Sequence, residues 1–249
     1  MNPYETDELV TQYMEFHYGD SYFNIENYPA KCAELCLNVI AKENISTTKA
    51  LDLGCAVGRT TFELAKGFDE VVGVDLSHRF IECATQLKND GSMYYSMVTE
   101  GELVTPREAD IAKLQLDEQR SKVQFYQEDA CQLSDKHQHY NLIFAGNLLD
   151  RLYNPKQFLK GIHNYLKVGG ILVMSSPYTL LEEYTPREHW LGGYKKDDQA
   201  LSILDGVKLA LSDHFVMTEE SIDVPFVIRE TQRKLQHTIA ELSCWKRIN

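Results

Sequence analysis

The chain has 249 residues, a net charge of −12, 43% hydrophobic residues and six cysteines. That length suits one α/β domain, with or without a cap, and the acidic balance argues against a nucleic-acid partner, because neutralising phosphates needs a basic face. The cysteines (Cys32, Cys36, Cys55, Cys83, Cys131 and Cys244) form no C-x-x-C and no metal-finger spacing; no metal site is expected, and reduced thiols in a cytoplasmic protein are the reading. No signal peptide and no apolar run of bilayer length is visible, so no membrane partner is expected either.

Residues 5–18 carry Leu9, Tyr13, Met14 and Phe16 at helical spacing and end before Gly19, which predicts an amphipathic helix. Its aromatic end, Tyr13, Phe16, His17 and Tyr18, suits either a ligand cap or packing onto a sheet. A second helix is expected over 30–42, so that 1–45 reads as a helical cap. The first strand is predicted at 49–53, followed by a glycine turn and a helix over 60–66. A second strand, 70–74, is apolar after its first residue, as a strand covered on both faces should be. It ends on Asp75, and Ser77 is placed to cap a helix running to about residue 88. Residues 91–121 break the rhythm: a strand or hairpin at 93–98 and a polar helix over 106–118 are expected. Further strands are predicted at 123–127, 140–145 and 170–175, with a helix over 155–166 stopped by Gly169. The polar-aromatic segment 176–196 is too long for a simple connection and reads as a functional loop. A helix over 199–211 and two closing strands, 215–223 and 237–247, complete a single domain, 1–249, whose core (46–249) carries insertions at about 91–121 and 176–196.

The stretch ALDLGCAVGRTTFELA, residues 50–65, joins strand, glycine turn and helix as the first crossover of a nucleotide-binding sheet. Ala56 stands where a dinucleotide fingerprint needs its second glycine, which lowers the NAD reading. Asp52, closing the strand, suits a ligand with an ammonium group. In a parallel sheet, ligands sit beyond the carboxyl ends of the strands. That position selects Asp52, Gly54, Cys55, Ala56, Gly58 and Arg59 from the first strand, Asp75 and Leu76 from the second, and Asp129 and Ala130 from the third. The fourth adds Asn147 and Arg151, and the fifth Ser176 and Tyr178. Asp75 lies about twenty residues past the glycine turn, where a carboxylate accepts both ribose hydroxyls. Asp129 can accept the adenine amino protons. Acids at three successive strand ends favour S-adenosylmethionine, which carries an ammonium and a sulfonium and no phosphate, over NAD.

The segments LDLGCAVGR, VVGVDLS and EDA resemble the S-adenosylmethionine motifs of class I (Rossmann-like) methyltransferases. The resemblance implies a seven-stranded, mostly parallel sheet of order 3-2-1-4-5-7-6 with its seventh strand antiparallel and helices on both faces. Over nearly the whole chain, YETDELVTQYMEFHYG, NLLDRLYNP, SSPYTLLEEYTPREHWLGGY and DVPFVIRETQRKLQHT resemble the C-terminal methyltransferase domain of ovothiol synthases. That implies N-methylation of the imidazole π-nitrogen of 5-thiohistidine (4-mercaptohistidine) to ovothiol A, with S-adenosyl-L-homocysteine as the other product. It puts cofactor contacts at Asp52, Gly54, Asp75, Asp129 and Asn147. Ala56 departs from the generic motif, tolerably because no phosphate must approach there. The synthase's iron-dependent domain has no counterpart here, so the resemblance confines this chain to methylation, with a sulfoxide synthase supplying the thiohistidine.

Such a reaction needs a free lone pair on the acceptor nitrogen, and a positioned base contributes typically about 10²–10⁴-fold. His189, His17 and Glu183 are the candidates, and the substrate's own thiolate leaves little work for a base. For an amino-acid carboxylate Arg229 is the first choice, then Arg187 and Arg151, because arginine pairs carboxylates bidentately. Glu183, Glu230 and Tyr178 suit the ammonium, although Arg229 and Glu230 could instead pair at the surface. Tyr18, Tyr184 and Trp190 suit the walls, and Phe226 is a further substrate contact. Another amino acid, imidazole or thiol as acceptor, or a non-catalytic partner subunit of the same fold, remains an alternative.

Overall fold

The computed structural model describes residues 3–249. Helix α1 (Asp7–Tyr18) is capped by Thr6, whose side chain accepts from the Leu9 amide, and buries Val10, Met14 and Tyr18 at four-residue spacing. Helix α2 (Tyr28–Lys42) opens on Asn27, which accepts from the Ala30 amide. The crossover follows as β1 (Lys49–Leu53), α3 (Arg59–Leu64), β2 (Glu70–Asp75) and α4 (His78–Asp90), with Ser77 capping α4. Beyond an inserted hairpin, β3 (Ser92–Glu100) and β4 (Leu103–Asp110), come β5 (Val123–Gln127), β6 (Tyr140–Gly146), α5 (Pro155–Gly161) and β7 (Leu166–Ser176). A second small hairpin, β8 (Tyr194–Lys196) and β9 (Gln199–Leu201), precedes α6 (Ile203–Leu211), β10 (Phe215–Met217), β11 (Ile222–Arg229) and β12 (Leu235–Arg247).

The main sheet runs β5-β2-β1-β6-β7-β12, with β10 and β11 both on the outer edge of β12. Its first five strands are parallel, and β12 is antiparallel to β7. This is the 3-2-1-4-5-7-6 order, with the sixth strand in two pieces. Side chains alternate between two apolar layers at period two. Ala50, Val71, Leu142, Phe144, Ile171 and Val173 join the layer under α1–α4. Leu51, Leu53, Val72, Val74, Ile143 and Leu172 join the layer under α5 and α6.

Four expectations are corrected. In place of the polar helix over 106–118, residues 106–110 belong to a strand, β4, paired to β3 around a turn at Gly101, 111–115 form a turn, and Asp117–Lys122 is a 3-10 helix. The helix over 155–166 gives way after Gly161 to a 3-10 turn, and Leu166 already belongs to β7, in which Gly169 is a positive-φ bend rather than a helix stop. The helix expected from 199 begins at Ile203, where Ser202 accepts from the Asp205 amide. The strand over 215–223 is split by Thr218–Ser221, a polar run whose ends bond back to Cys244 and Glu241 of β12. Among the described residues no helix is long and apolar enough to cross a membrane.

Candidate active site

The sheet order reverses between β1 and β6, and the crevice that this reversal leaves beyond the carboxyl ends is where such sheets bind ligands. A cavity of about 1240 Å³ of open space lies there. Its floor comes from Asp52, Gly54, Cys55 and Ala56 after β1, Asp75 and Leu76 after β2, Asp129 and Ala130 after β5, and Asn147 after β6. Tyr13, Phe16 and His17 of α1, Tyr28 of α2 and Phe226 of β11 form its other side.

The glycine turn is shaped by its backbone. The amides of Gly54 and Cys55 both donate to the Val74 carbonyl, tying the turn to β2. Gly54 has φ 72°, and a Cβ there would stand 3.1 Å from Leu148, so glycine keeps this edge of the cavity open. Ala56 also adopts a left-handed φ of 46°, and its amide donates to Asp75 Oδ2 at 2.9 Å. Asp75 Oδ1 accepts from the Ser77 amide at 2.9 Å, so each oxygen keeps a lone pair for a ligand. Burial nevertheless pushes the Asp75 carboxyl up to about 6, the backbone bonds opposing it only in part. Asp52 lies deeper, with Oδ2 accepting from the Thr61 hydroxyl at 2.7 Å, and burial pushes it up to about 7. Asp129 accepts from the Cys131 amide at 2.8 Å. Asn147, at φ 49°, accepts at Oδ1 from the Tyr28 hydroxyl, 3.0 Å away.

One cation faces this acidic floor: Arg151 is the only lysine or arginine among the described residues lining the cavity. Its Nη1 donates to Asp150 Oδ2 at 2.7 Å and to the Thr179 carbonyl, while Asp150 Oδ1 accepts from Ser176.

A glycine turn and acids at the ends of three neighbouring strands lie on this topology, and the family model described as "Methyltransferase domain" matches residues 25–210. The chain belongs to the methyltransferase-domain family. None of the curated proteins matches it in sequence. Among solved structures, it is similar to the N-methyltransferase NodS from Bradyrhizobium japonicum in complex with S-adenosyl-L-homocysteine. The identity is 16% over 96% of this chain and 99% of that one, with a TM-score of 0.55. An S-adenosylmethionine-dependent methyltransferase from Clostridium acetobutylicum aligns at 15% identity over 91% and 94%, with a TM-score of 0.57. The magnesium protoporphyrin IX methyltransferase from Synechocystis with bound S-adenosylmethionine aligns at 13% over 99% and 100%, with a TM-score of 0.56. At these identities the likeness is one of fold: the methyltransferase has the Rossmann-like fold of the S-adenosylmethionine-dependent enzymes.

Several residues singled out in the sequence lie elsewhere in the methyltransferase. Gly58 does not line the cavity: it has φ 89°, and a Cβ would stand 2.8 Å from Phe125, so it serves helix–sheet packing. Arg59 is buried and paired with Glu63, and its Nη1 donates to the His17 carbonyl, fastening α3 to α1. Tyr18 is spent similarly, donating to the Val57 carbonyl at 2.7 Å. His17 does line the cavity, but burial beside Arg59 pulls it down to about 3, and its Nδ1 accepts from the Arg59 amide. It is therefore a neutral ring at working pH, and a weak proton acceptor.

The family-specific loop contributes less than expected. His189 lies on a 3-10 turn edge-on to the exposed Tyr153, Glu183 is exposed, and neither lines the cavity. Arg187 sits over the Trp190 ring, whose indole donates to the Thr185 carbonyl; both lie outside it. Tyr184 stacks against Arg151 from outside. Tyr178, at φ 52°, points its ring into the second apolar layer. Arg229 is bound to Glu15 and Tyr22 rather than facing the cavity, and Glu230 pairs with Lys234. Of the proposed substrate contacts, Arg151 and Phe226 are the two that line it. Sequence reasoning missed Tyr4, Tyr28, Phe80, Glu128 and Asp150. Asp150 and Glu128 carried a signal, since each directly precedes a singled-out residue, Arg151 and Asp129, just past a strand end.

Proposed function

We propose that this methyltransferase transfers a methyl group from S-adenosylmethionine to the imidazole π-nitrogen of 5-thiohistidine, an acceptor made by a sulfoxide synthase. The observation that carries the reading is the charge pattern of the cavity: carboxylates from three neighbouring strands on one side, and a single arginine, paired to a buried aspartate, on the other. The floor fits the methyl donor. Asp75 has lone pairs for a ribose diol, Leu76 and Ala130 offer apolar surface for a purine edge by Asp129, and Asp52 gives a buried negative charge for an ammonium. When bound, S-adenosylmethionine supplies a methyl group made electrophilic by its sulfonium.

The remaining work falls to the chain. Arg151 holds the acceptor carboxylate and Asp150 its ammonium, while Phe16, Tyr28 and Phe226 present flat faces to an imidazole. Holding the acceptor in line supplies roughly 7–11 kcal/mol of orientation. No histidine of the cavity is needed as a base: the acceptor's thiolate raises the electron density of the ring, and His17 stays neutral and acts as a wall.

The test is an assay with S-adenosylmethionine labelled in its methyl group and 5-thiohistidine beside histidine. The reading expects one labelled methyl on nitrogen of the thiohistidine and little on histidine. Methylation at sulfur, or equal use of histidine, contradicts it. Arg151→Lys, which keeps the charge but loses the bidentate fork, should raise the acceptor KM about tenfold while donor affinity stays within about twofold. An unchanged KM removes Arg151 from the acceptor site.

A further inference from the structure

Glu15 lies on α1 beside the cavity and is not part of its lining. Its side chain is fully buried, yet the carboxylate remains ionised by preference, drawn below the ordinary range by its hydrogen bonds although burial opposes them. Four side chains converge on it. Tyr22, from the α1–α2 loop, and Tyr95, from β3, donate hydroxyls. Arg107, from β4, donates from Nη2 at 3.1 Å, and Arg229, from the end of β11, donates from Nη1 at 3.4 Å. Arg229 also donates to the Tyr22 hydroxyl at 2.7 Å, and Arg107 reaches Asp20. The space for this carboxylate depends on Gly19, where a Cβ would stand 2.5 Å from Glu15 Cδ.

What this junction ties together is the aromatic side of the cavity. Phe16 follows Glu15 in sequence; Phe226 and Ile228 precede Arg229. Phe16, Tyr28 and Phe226 form one ring cluster, with centroids 5.9, 5.7 and 4.8 Å apart. Those rings belong to three elements, the consecutive helices α1 and α2 and, far from them in sequence, β11. The β11–β12 pair also overhangs the sheet: β7 pairs with β12 only from Glu241 onward, whereas β11 pairs with it down to Leu235. The overhang that carries Phe226 and Ile228 therefore lacks a sheet neighbour on its β7 side; besides its packing on α1 and α2, it is held at its end by the Glu15 junction and by the Gln232 amide, which donates to the Thr99 carbonyl of β3.

We propose that Glu15 is a positioning residue, which fixes the aromatic wall of the acceptor chamber by clamping α1, the β3–β4 hairpin and the end of β11 to one buried carboxylate. It acts through Phe16, Tyr28 and Phe226, and none of the four side chains that meet it lines the cavity. The inference rests on the cavity being the methyl-transfer site, and not on which acceptor is used there.

The test compares wild type with Glu15→Gln and the milder Tyr95→Phe, measuring donor affinity by calorimetry, acceptor KM and kcat, and amide hydrogen exchange. Glu15→Gln should raise acceptor KM about tenfold, the loss of a charged hydrogen bond felt at the wall, with donor Kd and kcat within about threefold. Tyr95→Phe, which touches no cavity residue's ring in the cluster, should move KM the same way by a smaller factor. Exchange should quicken over 222–229 and not over 49–53. Unchanged KM in both variants, or donor Kd moving in step with KM, overturns the proposal and leaves Glu15 a general staple. If wild type does not methylate 5-thiohistidine, the acceptor assignment fails; exchange, read with donor bound, still decides the clamp, and unaltered exchange over 222–229 overturns it.

Discussion

Asp52 and Asp75 give the cavity a pH dependence near neutrality, because burial holds both above an ordinary carboxyl, to about 7 and about 6. A bound ammonium favours the ionised form, so donor binding expels a proton wherever the free protein holds one. Affinity should therefore be greatest above about pH 7.5 and fall as pH drops through about 7 to 6, read as proton release in calorimetry run in two buffers. An affinity flat over that range would contradict it. Stability runs the other way. A carboxyl whose folded pKa exceeds its unfolded one contributes stability that is complete below the unfolded value and lost as pH rises through the folded value. Asp52→Asn should therefore raise the melting temperature of the free protein at about pH 8, converge with wild type near about pH 4, and weaken donor binding. Lower stability of the variant at alkaline pH would refute the assignment. Ala56 offers a second contrast at this scale. Its left-handed φ costs about 1–2 kcal/mol in an L-residue, against about 0.5–1 kcal/mol of extra chain entropy for glycine, so Ala56→Gly should be neutral or mildly stabilising and keep donor affinity.

At the scale of elements, the glycine turn separates two tasks that the sequence presents as one motif. Gly54 borders the cavity, whereas Gly58 lets α3 settle against Phe125. Gly58→Ala should lower stability by about 1–3 kcal/mol in thermal denaturation, through overpacking and a strained φ, with the change in donor affinity secondary to it. The parallel strands were legible because residues such as Val71–Val74 and Leu142–Ala145 are apolar on both faces, and Ser77 and Thr6 announce helix starts. The β4 strand was not legible: LVTPREAD faces water over most of its length, so no core alternation marks it, and only its pairing with β3 makes it a strand. Arg229 was misplaced for a related reason. Its partner Glu15 lies 214 residues away, and nothing local distinguishes an arginine that meets a buried carboxylate from one that meets a ligand.

For the whole molecule, the half of the cavity proposed for the methyl donor could be read from sequence because it is built from strand ends, whose positions follow from the topology. The half proposed for the acceptor could not, because it is assembled from α1, α2 and the overhanging β11, which meet only in the folded chain. The most direct test of the account is calorimetric titration of the wild-type protein and of Asp75→Asn with S-adenosylmethionine at about pH 8. One site on the wild type and affinity weakened about tenfold or more in the variant are expected, since a ribose diol loses its charged acceptor. Equal affinity in the two proteins, or no binding to the wild type, would contradict the account.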